Sequence, residues 1–165
     1  MSCKTILKVA EAGANHKGRE ALGPGPDDGA SAAGRIASLS DMLRILVIDD
    51  EAGVRKVLVR MLTSAGHEVT AAPDGAEGLR VWREAGTDLV ITDVHMPELD
   101  GVQVIRELRA KAPALPVIAM SGSGNSRDLD RLRAAELMGA VGVLGKPFSW
   151  DELMSAIASA FPPAA

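Results

Sequence analysis

Apolar and polar positions fall into blocks along most of the chain, and the period changes from block to block. "LRILVI" (43–48) is an apolar run interrupted by one Arg. In "AGVRKVLVRMLTSAG" that follows, Val54, Val57, Leu58, Met61 and Leu62 sit at i, i+3, i+4, i+7 and i+8, the stripe of an amphipathic helix. Gly66 is placed to close that helix. "HEVTAA" (67–72) reads as a short strand. "DGAEGLRVWREAG" opens with Asp74, a good N-cap, and has Glu77 three residues on. "TDLVIT" (87–92) is the third strand, and Gly101, Val104, Ile105 and Leu108 line one face of a third helix. "LPVIAM" (115–120) is the fourth strand, and a helix around 126–138 ends near Gly139. "AVGVLG" (140–145) is the fifth strand. Ser149 and Glu152 form a capping box, and Leu153, Ile157 and Phe161 line the last helix.

These are five β–α pairs. Strands 1, 3, 4 and 5 are nearly unbroken apolar runs, as expected of parallel strands covered on both faces. The pattern predicts an α/β fold, a flavodoxin-like doubly wound sheet of five parallel strands in the order 2-1-3-4-5 with five helices. Residues 1–41 differ. They hold six Gly and two Pro, show no sustained period, and their five basic and five acidic residues cancel. That composition predicts a disordered or weakly ordered extension before a folded domain at 42–162. Met42 stands directly before the first strand, so the extension either is genuine or precedes the true start.

Composition narrows the function classes. The 165-residue chain has 47 % hydrophobic and 24 % charged residues and a net charge of -4, which gives no footprint for direct nucleic-acid binding. Two Trp, two Phe and no Tyr argue against a base-stacking platform. One cysteine, Cys3, excludes an internal disulfide framework and fits a reducing, cytoplasmic setting. No apolar run approaches the roughly 18 residues of a membrane span. Lys8 and Glu11 interrupt the apolar stretch at the start, which is unlike a signal peptide.

In open α/β sheets ligands bind at the carboxyl ends of the strands. Strand 1 delivers Asp49, Asp50 and Glu51 there, strand 3 Asp93, strand 4 Ser121, and strand 5 Lys146 followed by Pro147. Strand 2 delivers only Ala72-Pro73, which suits an edge. In the expected order strands 1 and 3 are neighbours, so Asp49, Asp50 and Asp93 converge. Packed carboxylates repel, and a hard divalent cation resolves the conflict. An all-oxygen donor set without a His–Cys cluster suits Mg²⁺ rather than Zn²⁺. Lys146 adds a point charge and Ser121 a hydroxyl donor. Together these groups describe a site for a phosphoryl group, with Asp93 the candidate nucleophile.

The pieces "ILVIDDE", "DLVITDVHMPELDG", "VIAMSG" and "VLGKPF", in this order and each at a strand end, resemble the receiver domain of bacterial response regulators over about residues 43–161. The resemblance implies that Asp93 is the phosphoacceptor. It implies that Asp50 ligates Mg²⁺ directly, Asp49 largely through water, and His95 through its backbone carbonyl. Ser121 would bind a phosphoryl oxygen, Lys146 would pair with the phosphoryl group, and the Lys146–Pro147 bond would be cis. The donor would be a sensor histidine kinase or a histidine phosphotransfer protein. The expected molecule is a stand-alone receiver that switches partner binding through the β4–α4–β5 face and is not an enzyme acting on a metabolite. Two departures stand out: Val143 occupies a position often aromatic in the family, and Ser121 replaces the commoner Thr. The rivals are an Mg²⁺-dependent aspartyl-phosphate phosphatase, a receiver-like module that binds without phosphorylation, and a receiver cut from a longer chain.

Other residues have plainer readings. Asp49 and Asp50 taken alone could simply cap the first helix. His16 and His67 read as surface residues, and Trp82 and Trp150 as partly buried packing residues. Arg127, Arg131 and Arg133 read as a solvated helix face, with a partner surface as the alternative.

Overall fold

The short apolar runs, rich in Val and Ile, form strands, and a sheet covered on both sides lets every residue of such a run leave water. A computed structural model of the protein describes residues 42–122 and 126–162. The elements run β1 (Arg44–Ile48), α1 (Ala52–Ser64), β2 (Glu68–Ala72), α2 (Gly75–Ala85), β3 (Leu89–Asp93), α3 (Gly101–Lys111), β4 (Val117–Ser121), α4 (Ser126–Leu137), β5 (Gly142–Gly145) and α5 (Trp150–Ala160). All strands are parallel, in the order β2-β1-β3-β4-β5. This is the flavodoxin-like arrangement that the alternation predicts. The extension at 1–41, with Cys3 and His16, lies outside the described residues.

Burial follows strand position. Every residue of β3 and β4 is buried, whereas β2 and β5 at the edges are mixed. Successive side chains of a strand point to opposite faces, so the apolar runs feed two cores. On one face Leu46, Ile48, Val90, Val117 and Ala119 meet Leu79 of α2, Val104, Ile105 and Leu108 of α3, and Ala135 of α4. On the other, Ile45, Val47, Leu89, Ile91, Ile118 and Met120 meet Leu58 and Leu62 of α1 and Leu153 and Ile157 of α5.

The helix ends have local causes. Asp74 accepts from the Glu77 N–H, and Ser149 and Glu152 form a reciprocal capping box. A second capping box, Asp100 with Gln103, starts α3. Gly66 and Gly139 follow α1 and α4 with φ of 91° and 104°, a backbone region costly for residues with a side chain.

Three expectations need correction. Val57 is 57 % exposed, while Leu58 and Leu62 are at 1 % and 0 %. Each residue turns the helix by about 100°, so with the stripe centred on Leu58 and Leu62 the side chain of Val57 swings outward. His67 is buried, at 5 % exposure, instead of lying on the surface. It sits where α1 turns into β2, its N–H donates to the Leu62 carbonyl, and its Nδ1 accepts from the Leu43 N–H at 3.4 Å. Trp82 packs partly buried as expected, but Trp150 stands 38 % exposed at the start of α5.

Candidate functional site

Asp49 follows β1 directly, and Asp93 and Ser121 are the last residues of β3 and β4. The register pairs Asp93 with Met120 and Ser121 with Gly145, so the strands end at nearly one level. Lys146 follows β5, its N–H donates to the Ser121 carbonyl at 2.6 Å, and the Lys146–Pro147 bond is cis. The strand order thus gathers residues up to 97 positions apart in sequence.

Three carboxylates meet here. One oxygen each of Asp49, Asp50 and Asp93 can be chosen so that all lie within 4.8 Å of one another. Asp49 is fully buried and both its oxygens are engaged: Oδ1 accepts from the Glu51 N–H at 2.8 Å and Oδ2 from Lys146 Nζ at 2.7 Å. Its backbone carbonyl accepts from Arg55 Nη1 at 2.6 Å. Asp50 is exposed at the rim. Asp93 is 4 % exposed, and its Oδ1 has no hydrogen-bond partner among the described residues. Lys146 Nζ stands 3.3 Å from that oxygen in an ionic contact, and donates its short hydrogen bond, at 2.7 Å, to Asp49. Glu51 Oε1 lies 4.0 Å from the same ammonium. Ser121 Oγ is buried and likewise without a partner among the described residues.

The electrostatics follow from this packing. Burial pushes the Asp93 carboxyl up to about 6; Lys146 opposes the rise, and the charges of Asp49 and Asp50 add to it. Burial also works against the charge on Lys146, but Asp49 and Asp93 outweigh it and hold the ammonium above its ordinary value. A buried carboxylate oxygen held only by an ionic contact to Lys146, beside two more acids, keeps acceptor capacity that a further cation or a new group can satisfy. The donors are all oxygen, which fits a hard divalent cation such as Mg²⁺.

His95 lies in the turn after β3 with its side chain exposed. Sequence reasoning did not find Arg55 or Asp100. Arg55 reaches back six residues to the Asp49 carbonyl, a contact with no spacing signature. Asp100 could have been found, because Asp followed three residues later by Gln is a capping-box pattern. Arg131, read as part of a solvated face, instead reaches the β3–α3 connection.

Known proteins are similar to this chain in sequence and fold. A family model described as the response regulator receiver domain matches residues 45–158. The transcriptional regulatory protein GlrR of Escherichia coli K12 is 41 % identical over 113 residues, covering 68 % of this chain and 25 % of that protein. The response regulator MprA of Mycobacterium sp. strain KMS is 40 % identical over 114 residues, 68 % of this chain and 48 % of that protein. The chain therefore spans about a quarter to a half of the curated relatives it matches. A receiver domain protein from Clostridium thermocellum superposes with a TM-score of 0.68 at 38 % identity, covering 73 % of this chain and 94 % of that one. With the family match running through all five strands and into the last helix, this chain belongs to the response regulator receiver domain family.

Proposed function

We propose that Asp93 accepts a phosphoryl group from a phosphohistidine of a sensor kinase or phosphotransfer protein, and that this modification switches binding of a downstream partner. The observation that carries the reading is Asp93 Oδ1, buried at the end of β3 without a hydrogen bond, with Lys146 Nζ 3.3 Å away. An oxygen of Asp93 would attack phosphorus, forming an O–P bond while the P–N bond to the donor imidazole breaks. Lys146, already held by Asp49, is positioned to meet the charge on the incoming phosphoryl oxygens. Ser121 Oγ, buried and unpartnered, offers a donor to one of them.

Mg²⁺ would neutralise charge shared between the carboxylates and the phosphoryl oxygens. Asp50, Asp93 and the His95 carbonyl are the proposed direct ligands. Asp49, with both oxygens already accepting hydrogen bonds, suits an indirect role through water. The proposed readout is the β4–α4–β5 face, because Ser121 ends β4 and lies just before α4.

Acetyl phosphate with Mg²⁺ should add one phosphoryl group to the chain by intact-mass measurement. Asp93→Asn should take up none, and excess chelator should abolish labelling. An equal adduct on Asp93→Asn, or full labelling in chelator, would remove Asp93 or the cation from the scheme.

A further inference from the structure

Two arginines tie α4 to the rest of the domain. Arg109 of α3 donates from Nε to the Gly139 carbonyl at 3.1 Å, behind the C-terminal end of α4, and from Nη1 to the Pro113 carbonyl at 2.7 Å. Arg131 belongs to α4 itself. Its Nη1 donates to the Val94 carbonyl at 3.4 Å and lies 3.5 Å from Asp100 Oδ2. Both acceptors belong to the segment that follows Asp93.

That segment is firmly held. Val94 is fully buried, and its N–H donates to the Met120 carbonyl at 2.8 Å. Asp100 uses its other oxygen to cap α3, accepting from the Gln103 N–H at 2.9 Å. Gly101 presses on the same backbone: a Cβ there would lie 2.1 Å from the Asp93 carbonyl oxygen. The end of β3 and the start of α3 therefore form one unit, and Arg131 joins α4 to it.

We propose that Arg131 is a positioning residue that seats α4 on the backbone behind Asp93 and biases the helix toward its resting place. The proposal rests on Asp93 being the phosphoacceptor. Ser121 lies just before α4 and would pull from the strand side, while Arg131 holds the helix body to the segment that carries the modification. Its contacts are long and its side chain is 41 % exposed, so each is weak. A weak tie suits a bias that a ligand must overcome. By linkage, whatever opposes movement of the helix also opposes, by the same factor, the binding event that drives the movement.

The test uses the full chain with beryllofluoride and Mg²⁺ as the phosphoryl mimic. Apparent affinity is read by titration, and hydrogen exchange of the α4 amides is read before and after addition. Arg131→Ala should bind the mimic about fivefold more tightly, at the low end of measured couplings. Its α4 amides should exchange faster before addition and change less on addition. Arg131→Lys keeps the charge without the planar fork and should fall between Arg131→Ala and wild type. Asp100→Asn keeps an oxygen for the Gln103 N–H but loses the charge facing Arg131, so it should shift affinity in the same direction. If Arg131→Ala folds poorly, Asp100→Asn carries the comparison. Unchanged affinity in both variants would reduce Arg131 to a surface ion pair and overturn the proposal, and weaker binding would overturn it too, because the bias would then favour the switched state. A wild-type chain that does not bind the mimic would remove the phosphoacceptor reading itself, and this inference with it.

Discussion

The surroundings of His67 disfavour its charged form. Burial lowers the imidazole below its ordinary value, and Nδ1 serves as acceptor for the Leu43 N–H, a role open only to the uncharged ring. The unfolded chain, with an ordinary histidine, binds more protons at acid pH. The stability that His67 contributes is therefore present above roughly pH 6.5 and is lost as pH falls below it. Asp93 acts oppositely: with its carboxyl pushed up to about 6, the folded state holds that proton more tightly, so its effect favours the folded state as pH falls toward the ordinary carboxylate range. Comparing wild type with His67→Asn cancels the Asp93 effect and keeps an acceptor for Leu43. Between pH 5 and 6.5 the wild type should lose unfolding free energy more steeply than His67→Asn, by at most about 1.4 kcal/mol per pH unit, one proton's share. Denaturant curves across that range measure the difference. Parallel slopes would mean that the ring titrates alike in both states.

At the scale of elements, the loop and helix after β4 carry the proposed response. Val143 of β5 is partly buried against the core shared with α3 and α4. It is β-branched and short, so it has no large ring to swing between inward and outward positions. Ser121 should then act through the backbone. Phosphorylation adds roughly -1.5 to -2 of charge beside it, and a charge-assisted hydrogen bond would draw its hydroxyl toward the new oxygens. Ser121→Ala should leave Asp93 phosphorylatable but weaken the amide chemical-shift response over residues 121–145 to beryllofluoride. Val143→Ala should keep the response and lose about 1 kcal/mol of stability through lost packing. A full response in Ser121→Ala together with a lost response in Val143→Ala would route the coupling through β5 and contradict this mechanism.

For the whole molecule, the described residues cover both faces of the sheet. One core is closed by α2, α3 and α4 and the other by α1 and α5, with Val90, Ile91, Val117 and Ile118 fully buried between them. Residues 1–41 carry no periodic apolar stripe to add to either core. A chain beginning at Met42 should therefore melt within about 2 °C of the full chain, less than the shift expected from 1 kcal/mol in a domain of this size. Calorimetry on both chains checks this, and a larger drop would show that the extension docks on the domain. No helix among the described residues is long and apolar enough to cross a membrane.

What the sequence determined by itself was the succession of elements and the chemistry at their ends. Period is a local property: short runs with β-branched residues, such as Leu89-Val90-Ile91, suit a strand buried on both faces, and Leu58 with Leu62 fits a helix with one face inward. The placing of Asp49, Asp93, Ser121 and Lys146 at strand ends was legible for the same reason. Tertiary structure decided what depends on distances across the fold. The burial of His67 follows from the meeting of the β1 entry with the α1–β2 turn, 24 residues apart in sequence. Lys146 choosing Asp49 for its short hydrogen bond, and leaving Asp93 Oδ1 with a longer ionic contact, depends on how two strand ends lie side by side. Arg55 and Arg131 reach backbone carbonyls, and every residue has one, so no residue type at the acceptor marks the contact in advance. Side-chain period is set within a few residues, whereas a hydrogen bond between distant segments exists only once packing has brought them together.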